Sequence, residues 1–170
     1  MNPIRRHTTQ LVALAPLAWL APGAAHAHAE HHGRAATGPV VKEQKPWGIA
    51  AEPKEAKRRI DIRMTDDMRF TPSHIHVREG EVLRLRAVNT GKVMHEIVIG
   101  TPEELQAHAE LMKKHPNMEH EEPYMAHVSP GRSGDIVWHF NRPGNFEFAC
   151  LIPGHFEAGM RGTIRVRPRA

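Results

Sequence analysis

The sequence is poor in cysteine and in aromatic residues. Of its 170 residues only Cys150 is a cysteine, and Phe, Trp and Tyr together make up 5%. A single cysteine excludes an internal disulfide, so no covalent cross-link holds the fold together. With so few aromatic side chains, a buried core must consist mainly of Val, Ile and Leu.

The sequence also lacks a block of like charges and an apolar run long enough for a membrane-spanning helix. The formal net charge is +4, but Lys and Arg are spread among Asp and Glu, which argues against nucleic-acid binding. The apolar run at residues 11–22 is shorter than the roughly 20 residues that cross a bilayer. Histidine and methionine, in contrast, are abundant, with 14 and 8 residues.

Residues 1–27 have the features of a secretory signal peptide. Arg5 and Arg6 form a basic start, the apolar run follows, and Ala25 and Ala27 form a small-x-small cleavage site. The alternative is an uncleaved membrane anchor, which the shortness of the run and its two prolines disfavour. We therefore expect export to the bacterial periplasm and a mature protein without a membrane segment, beginning near His28.

Two regions follow the signal peptide. Residues 28–59 are rich in Gly, Pro, Ala and charge and have no regular period, which predicts a disordered, histidine-containing linker. In residues 60–170 apolar side chains recur at every second position, as in Ile60-Asp61-Ile62, and turn-forming residues separate the runs. This pattern predicts a domain of short strands.

The strand pattern predicts an all-β Greek-key sandwich with one inserted helix. The helix is indicated by Thr101 as N-cap, Pro102 at the first helical position and Glu104 in the capping-box position. It is expected to end near Lys114, because Pro116 follows. A loop rich in methionine and histidine comes next.

The single cysteine begins a cluster of metal-ligand residue types. Alternation places Cys150 on an inward face at the end of a strand, and His155 and Met160 follow in a loop. His95 points inward from a different strand. One thiolate, two imidazoles and one thioether are the ligand set of a type 1, or blue, copper site. The alternative, a small apolar cysteine beside a core methionine, does not account for this spacing.

These motifs resemble those of cupredoxins. The segment FACLIPGHFEAGMRGTIRV, residues 148–166, resembles the ligand loop of rusticyanin- and auracyanin-type members. Residues 70–100 resemble the strand pair that leads to the first copper histidine. The resemblance covers roughly residues 60–168 and implies a Greek-key β-sandwich of about eight strands.

Position by position, the resemblance implies that copper is held by His95, Cys150, His155 and Met160. This chain departs from many cupredoxins at the residue after the first histidine ligand. Many members carry Asn there, where it supports the thiolate, and this chain carries Glu96. The hydrogen bonds around the thiolate are therefore expected to differ from the usual pattern.

A second set of potential ligands lies in residues 108–127, which we call the Met/His segment. Its members are His108, Met112, His115, Met118, His120, Met125 and His127. Thioether and imidazole ligands without thiolate suit Cu(I), so one interpretation is a second copper site. In the alternative, Met112 and Leu105 pack the helix on the sandwich and the remainder is a solvated loop. His74 and His76 are expected on a solvated outer face.

The whole chain resembles CopI-type periplasmic copper-tolerance proteins. The signal peptide, the histidine-rich start of the linker, the Met/His segment and the C-terminal cupredoxin carry that resemblance. It implies that the protein binds or oxidises excess Cu(I). The alternative function is a plain electron carrier between larger redox proteins, with an inert Met/His segment.

The resemblance to cupredoxins also has implications for a partner and for catalysis. In cupredoxins the C-terminal ligand histidine reaches the surface within an apolar patch, which implies that a redox partner docks near His155 and Phe156. Multicopper enzymes need further copper centres built from several histidine clusters, and a binuclear thiolate-bridged centre needs two cysteines. We therefore expect that the protein is not an enzyme, with Cu(I) oxidation as the one activity left open.

Overall fold

Alternating apolar residues form strands that pair into two sheets. This computed structural model describes residues 40–116 and 120–169. The strands of these residues are β1 (Ile49–Ala50), β2 (Arg58–Thr65), β3 (Arg69–Thr71), β4 (His74–Arg78), β5 (Glu81–Asn89), β6 (His95–Gly100), β7 (Met125–Val128), β8 (Ser133–Phe140), β9 (Gly144–Ala149) and β10 (Arg161–Arg167). One sheet has the order β1-β8-β5-β2-β3 and the other β4-β10-β9-β6-β7.

The predicted all-β sandwich is confirmed. The ten strands exceed the expected eight because β1 and β3 are short pieces of two and three residues. The β2–β5 and β4–β10 pairs are parallel and the remaining strand pairs are antiparallel. Inward residues of both sheets share one buried cluster, in which Trp138, Phe140 and Phe148 are among the largest fully buried side chains.

The predicted helix is α1, Pro102–Lys114, and its start is the one that the sequence indicated. The Thr101 hydroxyl accepts the Glu104 amide hydrogen at 3.2 Å, and Glu104 in turn accepts from the Thr101 amide at 3.3 Å. Lys113 and Lys114 lie in the last turn, where positive charge is favourable. The helix is thus defined at both ends by its own sequence.

Helix α1 changes the environment of β6, because it covers the face of that strand that points away from the sandwich. Alternation predicts one buried face, yet every residue of β6 is buried. Val98 packs on this outer side with Leu105, Ala109 and Met112 of the helix. The helix lies in the connection between β6 and β7, whose ends remain paired, with the Ile99 amide donating to the Tyr124 carbonyl at 3.0 Å.

The domain begins earlier than residue 60. Residues 40–59 were expected to be a disordered part of the linker, and this is wrong for the stretch around Trp47, which is 3% exposed and joins the core cluster. Strand β1 pairs with β8, and the Trp138 indole donates to the Trp47 carbonyl at 3.1 Å. The physical reason is that one large apolar side chain orders a segment whose composition is otherwise polar.

Some predictions concern residues outside the described part of the chain. The signal peptide (residues 1–27), the linker as far as residue 39, and Met118 are among them. Within residues 40–116 and 120–169, the longest helix is α1, and no helix has the length and apolar character needed to cross a membrane.

Close packing at Gly162 generates a stability prediction. Gly162 of β10 faces Phe148 of β9 across the ladder, and a Cβ atom there would lie 2.1 Å from the Phe148 ring. Gly162→Ala should therefore lower the free energy of unfolding by about 1–3 kcal/mol, because the buried ring must move. Denaturant unfolding of the copper-free protein measures this.

Arg165→Ala is the matched control, because Arg165 is exposed on the same strand. It should change the free energy of unfolding by less than about 0.5 kcal/mol. Equal losses for the two variants would show that the Gly162–Phe148 contact is not a packing constraint.

Candidate metal centre

The segment that we call the ligand loop, residues 150–160, is closed by its own backbone. The Cys150 amide donates to the Met160 carbonyl at 3.1 Å, and the Met160 amide donates to the His155 carbonyl at 3.0 Å. Gly154 and Gly159 have φ values of +90° and +86°, which glycine adopts readily. Three candidate ligands are thereby held in one short turn.

A buried asparagine sets the position of His95. The Asn89 side-chain amide donates to the carbonyls of Val93 and Val128, both at 2.8 Å, and its oxygen accepts from the Gly91 amide at 2.9 Å. These three bonds fix the turn that precedes β6. His95, the first residue of β6, is therefore placed by the turn as well as by the strand.

The structure brings the cysteine and the two histidines together. One ligand atom of each of His95, Cys150 and His155 lies within 4.8 Å of the others. The Cys150 sulfur is 3.3 Å from His155 Nδ1, and the two imidazole centroids are 5.0 Å apart. Met160 is fully buried in the same core cluster. Among the described residues this is the one group of three or more histidine, cysteine or acidic side chains whose ligand atoms lie this close together.

The nitrogens of His95 show that the donor set fits a metal. Its Nδ1 is buried and has no hydrogen-bond partner within the described part of the chain. Its Nε2 lies 3.2 Å from Asp66 Oδ1. A ligating histidine typically uses one nitrogen for the metal and the other for a carboxylate or carbonyl. Thiolate, imidazole and buried thioether are the donors that copper prefers.

Burial sets the protonation of these groups before metal binds. Burial, and after it the charge of Glu96, raises the pKa of the Cys150 thiol to about 12. Burial, followed by the neighbouring His95, lowers the pKa of His155. The site therefore presents a neutral imidazole and a protonated thiol near neutral pH, and a metal ion must displace the thiol proton to bind.

Asp66 and Asn89 contact or position the candidate ligand His95, and sequence reasoning missed both. Asp66 accepts from the Lys92 amide at 2.7 Å and faces His95, and the Lys92 hydrogen bond is the main reason that its pKa is lowered. Its distance of 29 residues from His95 in the chain left no spacing signal. Asn89 was visible only as part of a turn-forming stretch.

Phe156 does not lie on the apolar surface that the expected docking of a partner near His155 and Phe156 assumed. Its side chain is 5% exposed and packs in the cluster that includes Leu105 and Ala109 of α1. The Arg161 guanidinium lies 4.3 Å from its ring centroid. Because the inserted helix covers this position, Phe156 contributes to packing rather than to a surface. The large exposed apolar residues near the centre are Val93 and Met94, each 43% exposed, directly before His95.

The methionines and the histidines of the Met/His segment lie in different surroundings. Met112 and Met125 are 5% and 7% exposed and belong to the apolar cluster beneath α1, so the predicted packing of Met112 with Leu105 is confirmed. His115 is exposed at the end of the helix. The structure therefore does not bring all seven candidate ligands of the segment to one point.

Two histidines of the segment lie close to each other, and a third contacts Glu96. The rings of His108 and His120 have centroids 4.8 Å apart, and His120 Nδ1 is buried without a hydrogen-bond partner among the described residues. His127 Nε2 lies 2.9 Å from Glu96 Oε2. Burial, and then the proximity of His120, lowers the pKa of His108.

The outward orientation of His74 and His76 is confirmed. Both are exposed and alternate with buried residues of β4. His74 Nδ1 lies 2.8 Å from the Thr163 hydroxyl of the neighbouring strand. They lie outside the cluster around Cys150.

The contact between Asp66 and His95 generates a prediction about affinity. Asp66→Ala should weaken copper binding by about 10- to 100-fold, because His95 loses the carboxylate that orients its ring. Competition with a chelator of known affinity measures this. Asp67→Ala is the matched control, since it removes the same charge one residue away and contacts the Thr65 hydroxyl instead. Equal affinities for the two variants would contradict an orienting role for Asp66.

Similarity to known proteins agrees with this geometry. Auracyanin B, a solved structure, superposes with a TM-score of 0.60 at 23% identity, over 74% of this chain and 100% of that one. Auracyanin from Roseiflexus castenholzii gives a TM-score of 0.57 at 23% identity, over 66% of this chain and 99% of that one. At these identities the likeness concerns the fold.

The sequence relatives are closer. The chain is 47% identical over 145 residues to the copper-resistant cuproprotein CopI of Rubrivivax gelatinosus, covering 84% of this chain and 88% of the relative. It is 35% identical over 120 residues to the protein of the same name from Vibrio cholerae, covering 70% and 71%. Residues 56–167 match the family described as copper binding proteins, plastocyanin/azurin family. The chain therefore belongs to the plastocyanin/azurin family of copper-binding proteins.

Proposed function

We propose that this protein is an exported copper-tolerance protein, with a type 1 site at His95, Cys150, His155 and Met160 and one-electron redox chemistry. The observation that carries the proposal is the convergence of His95, Cys150 and His155 within 4.8 Å from two segments distant in the chain. The buried, unpartnered Nδ1 of His95 supports it. Excess Cu(I) is the species that such a protein handles.

The chain's own residues favour rapid electron exchange by holding the donors still. Bound copper supplies the Cu(II)/Cu(I) couple, and thiolate, imidazole and thioether together satisfy both oxidation states. The ligand loop is closed by backbone hydrogen bonds, and His95 is fixed by Asn89 and Asp66. Little rearrangement is then needed when the oxidation state changes.

The role in copper tolerance has support from outside the centre. Two relatives that cover more than two thirds of this chain are named copper-resistant cuproproteins. The N-terminal sequence has the features of an export signal, which supports a periplasmic location.

A second copper site in the Met/His segment is part of the proposal. The paired rings of His108 and His120, with His127 on the following strand, provide imidazole donors outside the type 1 centre. Burial that keeps the His108 ring neutral supports binding, because a metal ion binds only neutral imidazole. Met118 remains a candidate thioether donor of the same segment.

A plain electron carrier remains the second candidate function. The exposed Val93 and Met94, directly before His95, support it, because they provide apolar surface beside the centre. The His155 ring, 5.0 Å from that of His95, lies at the same end of the sandwich. A redox partner would dock there through a small, transient interface. Copper stoichiometry separates the candidates, since a carrier needs one copper per chain.

The type 1 assignment predicts a distinctive absorption. The copper-loaded protein should show an intense thiolate-to-copper band, and Cys150→Ser should abolish it because the hydroxyl cannot replace the thiolate. Met160→Leu should keep the band and raise the reduction potential, since the weak axial thioether stabilises Cu(II). Visible spectroscopy and potentiometric titration measure both effects. A coloured Cys150→Ser protein would rule out the assignment.

The second site predicts Cu(I) binding that is independent of Cys150. In the Cys150→Ser background, replacing His108 and His120 together with Phe should lower Cu(I) stoichiometry by about one ion per chain. His115→Phe, at the exposed end of α1, is the matched control and should leave it unchanged. In the protein that keeps Cys150, the same double variant should make a host that depends on the protein sensitive to copper. Wild-type stoichiometry and tolerance would favour the electron carrier.

A further inference from the structure

Glu96 is a charged residue in an apolar place. It is 2% exposed, it follows His95 directly in β6, and every other residue of that strand is also buried. Burying a carboxylate is costly unless both of its oxygens find partners. The partners that Glu96 has found therefore indicate what it does.

The first oxygen of Glu96 holds the ligand loop. Oε1 accepts the Leu151 amide hydrogen at 2.7 Å, and Leu151 directly follows Cys150. The backbone amide of Glu96 also donates to the Cys150 sulfur at 3.4 Å. Glu96 thus contacts the thiol-bearing segment through both its main chain and its side chain. Hydrogen bonds to residues around a metal ligand set the ligand's orientation and the metal's properties.

The second oxygen of Glu96 holds the Met/His segment. Oε2 lies 2.9 Å from His127 Nε2, and the two residues face each other in the β6–β7 ladder. The His127 side chain is 37% exposed, so this contact joins a buried carboxylate to a ring that reaches the surface. Glu96 also lies close enough to His108 for its charge to act on that ring.

We propose that Glu96 is a positioning residue that couples the Met/His segment to the type 1 centre, by holding Leu151 with one oxygen and His127 with the other. The inference deepens the proposed function and rests on its second copper site. A cation that His127 helped to hold would act on Glu96 through the 2.9 Å contact between His127 Nε2 and Glu96 Oε2. Such a cation pulls on the carboxylate and offsets its charge beside Cys150.

The proposed coupling favours one oxidation state of the type 1 centre over the other. A buried negative charge beside the thiolate favours Cu(II) over Cu(I), and little solvent screens it. Offsetting that charge when a cation occupies the Met/His segment favours the reduced state. The type 1 centre therefore becomes a better electron acceptor when Cu(I) is present at the second site.

The coupling can be tested without a functioning type 1 centre. The Cys150→Ser protein lacks the thiolate, and Ag(I) is a diamagnetic, redox-inert ion that prefers the same soft ligands as Cu(I). Titration with Ag(I) should move the Leu151 amide resonance in a 1H–15N spectrum. Adding Glu96→Gln should abolish that movement while His108 and His120 still bind Ag(I), since Gln loses the charge and presents an amide hydrogen, in place of an acceptor, to His127 Nε2. Glu121→Gln is the matched control, as an exposed acid beside His120.

The outcomes separate the coupling from the proposed second site. If Ag(I) binds and Leu151 does not move, the coupling is overturned and the second site stands. If Ag(I) does not bind, the second site fails, and His127→Phe decides the coupling. The His127→Phe substitution removes the ring nitrogen that contacts Glu96, so it should move the Leu151 resonance without any metal ion. An unmoved Leu151 resonance in His127→Phe overturns the coupling whatever Ag(I) does.

The effect of the Glu96 charge on the type 1 centre can be measured separately, as a change in reduction potential. In the copper-loaded protein Glu96→Gln should raise the reduction potential, with the Cu(I)-to-Cu(II) ratio at a fixed applied potential increasing roughly tenfold or more. The Leu151 amide should stay protected from hydrogen exchange, because the Gln oxygen still accepts its hydrogen bond. An unchanged potential with a protected Leu151 would overturn the electrostatic part of the coupling.

Discussion

The burial of the Cys150 sulfur is the constraint on which the rest of this structure depends. A thiol in so apolar a place does not ionise on its own, and its pKa of about 12 reflects that burial. It becomes a thiolate only when a metal ion takes the place of its proton. The surrounding fold meets this requirement with two imidazoles from distant segments and with the Glu96 amide directed at the sulfur.

Much of the centre could be predicted from the sequence because it is encoded locally. The spacing of Cys150, His155 and Met160 within one turn and the alternation of the strands are properties of short segments. Asp66 could not be found in this way, since it meets His95 only after β2 and the turn before β6 are in place. The burial of Phe156 and the ordering of Trp47 depend on an inserted helix and on a distant strand. Tertiary packing overrides local composition at these places.

The Met/His segment shows that composition alone does not define a site. Thioether donation was one interpretation of its methionines, but Met112, on α1 itself, and Met125 are buried in the apolar cluster between the helix and the sheet. The histidines, which are costlier to bury, lie at the boundary between this cluster and the solvent. The buried methionines of the Met/His segment thus attach the helix to the sheet. Its histidines are the remaining candidates for metal binding.

The insertion of α1 between two paired strands has a consequence for how such proteins diversify. The ends of the insertion are joined by the Ile99–Tyr124 hydrogen bond and by the β6–β7 ladder. The entropy of closing a loop grows only slowly with its length, so the segment can lengthen or shorten at little cost to the sandwich. Its other contacts are the apolar packing of α1 on Val98 of β6 and on Phe156 of the ligand loop. A chain with this design can change the length of its inserted segment while the two sheets and the cluster of His95, Cys150 and His155 keep their arrangement.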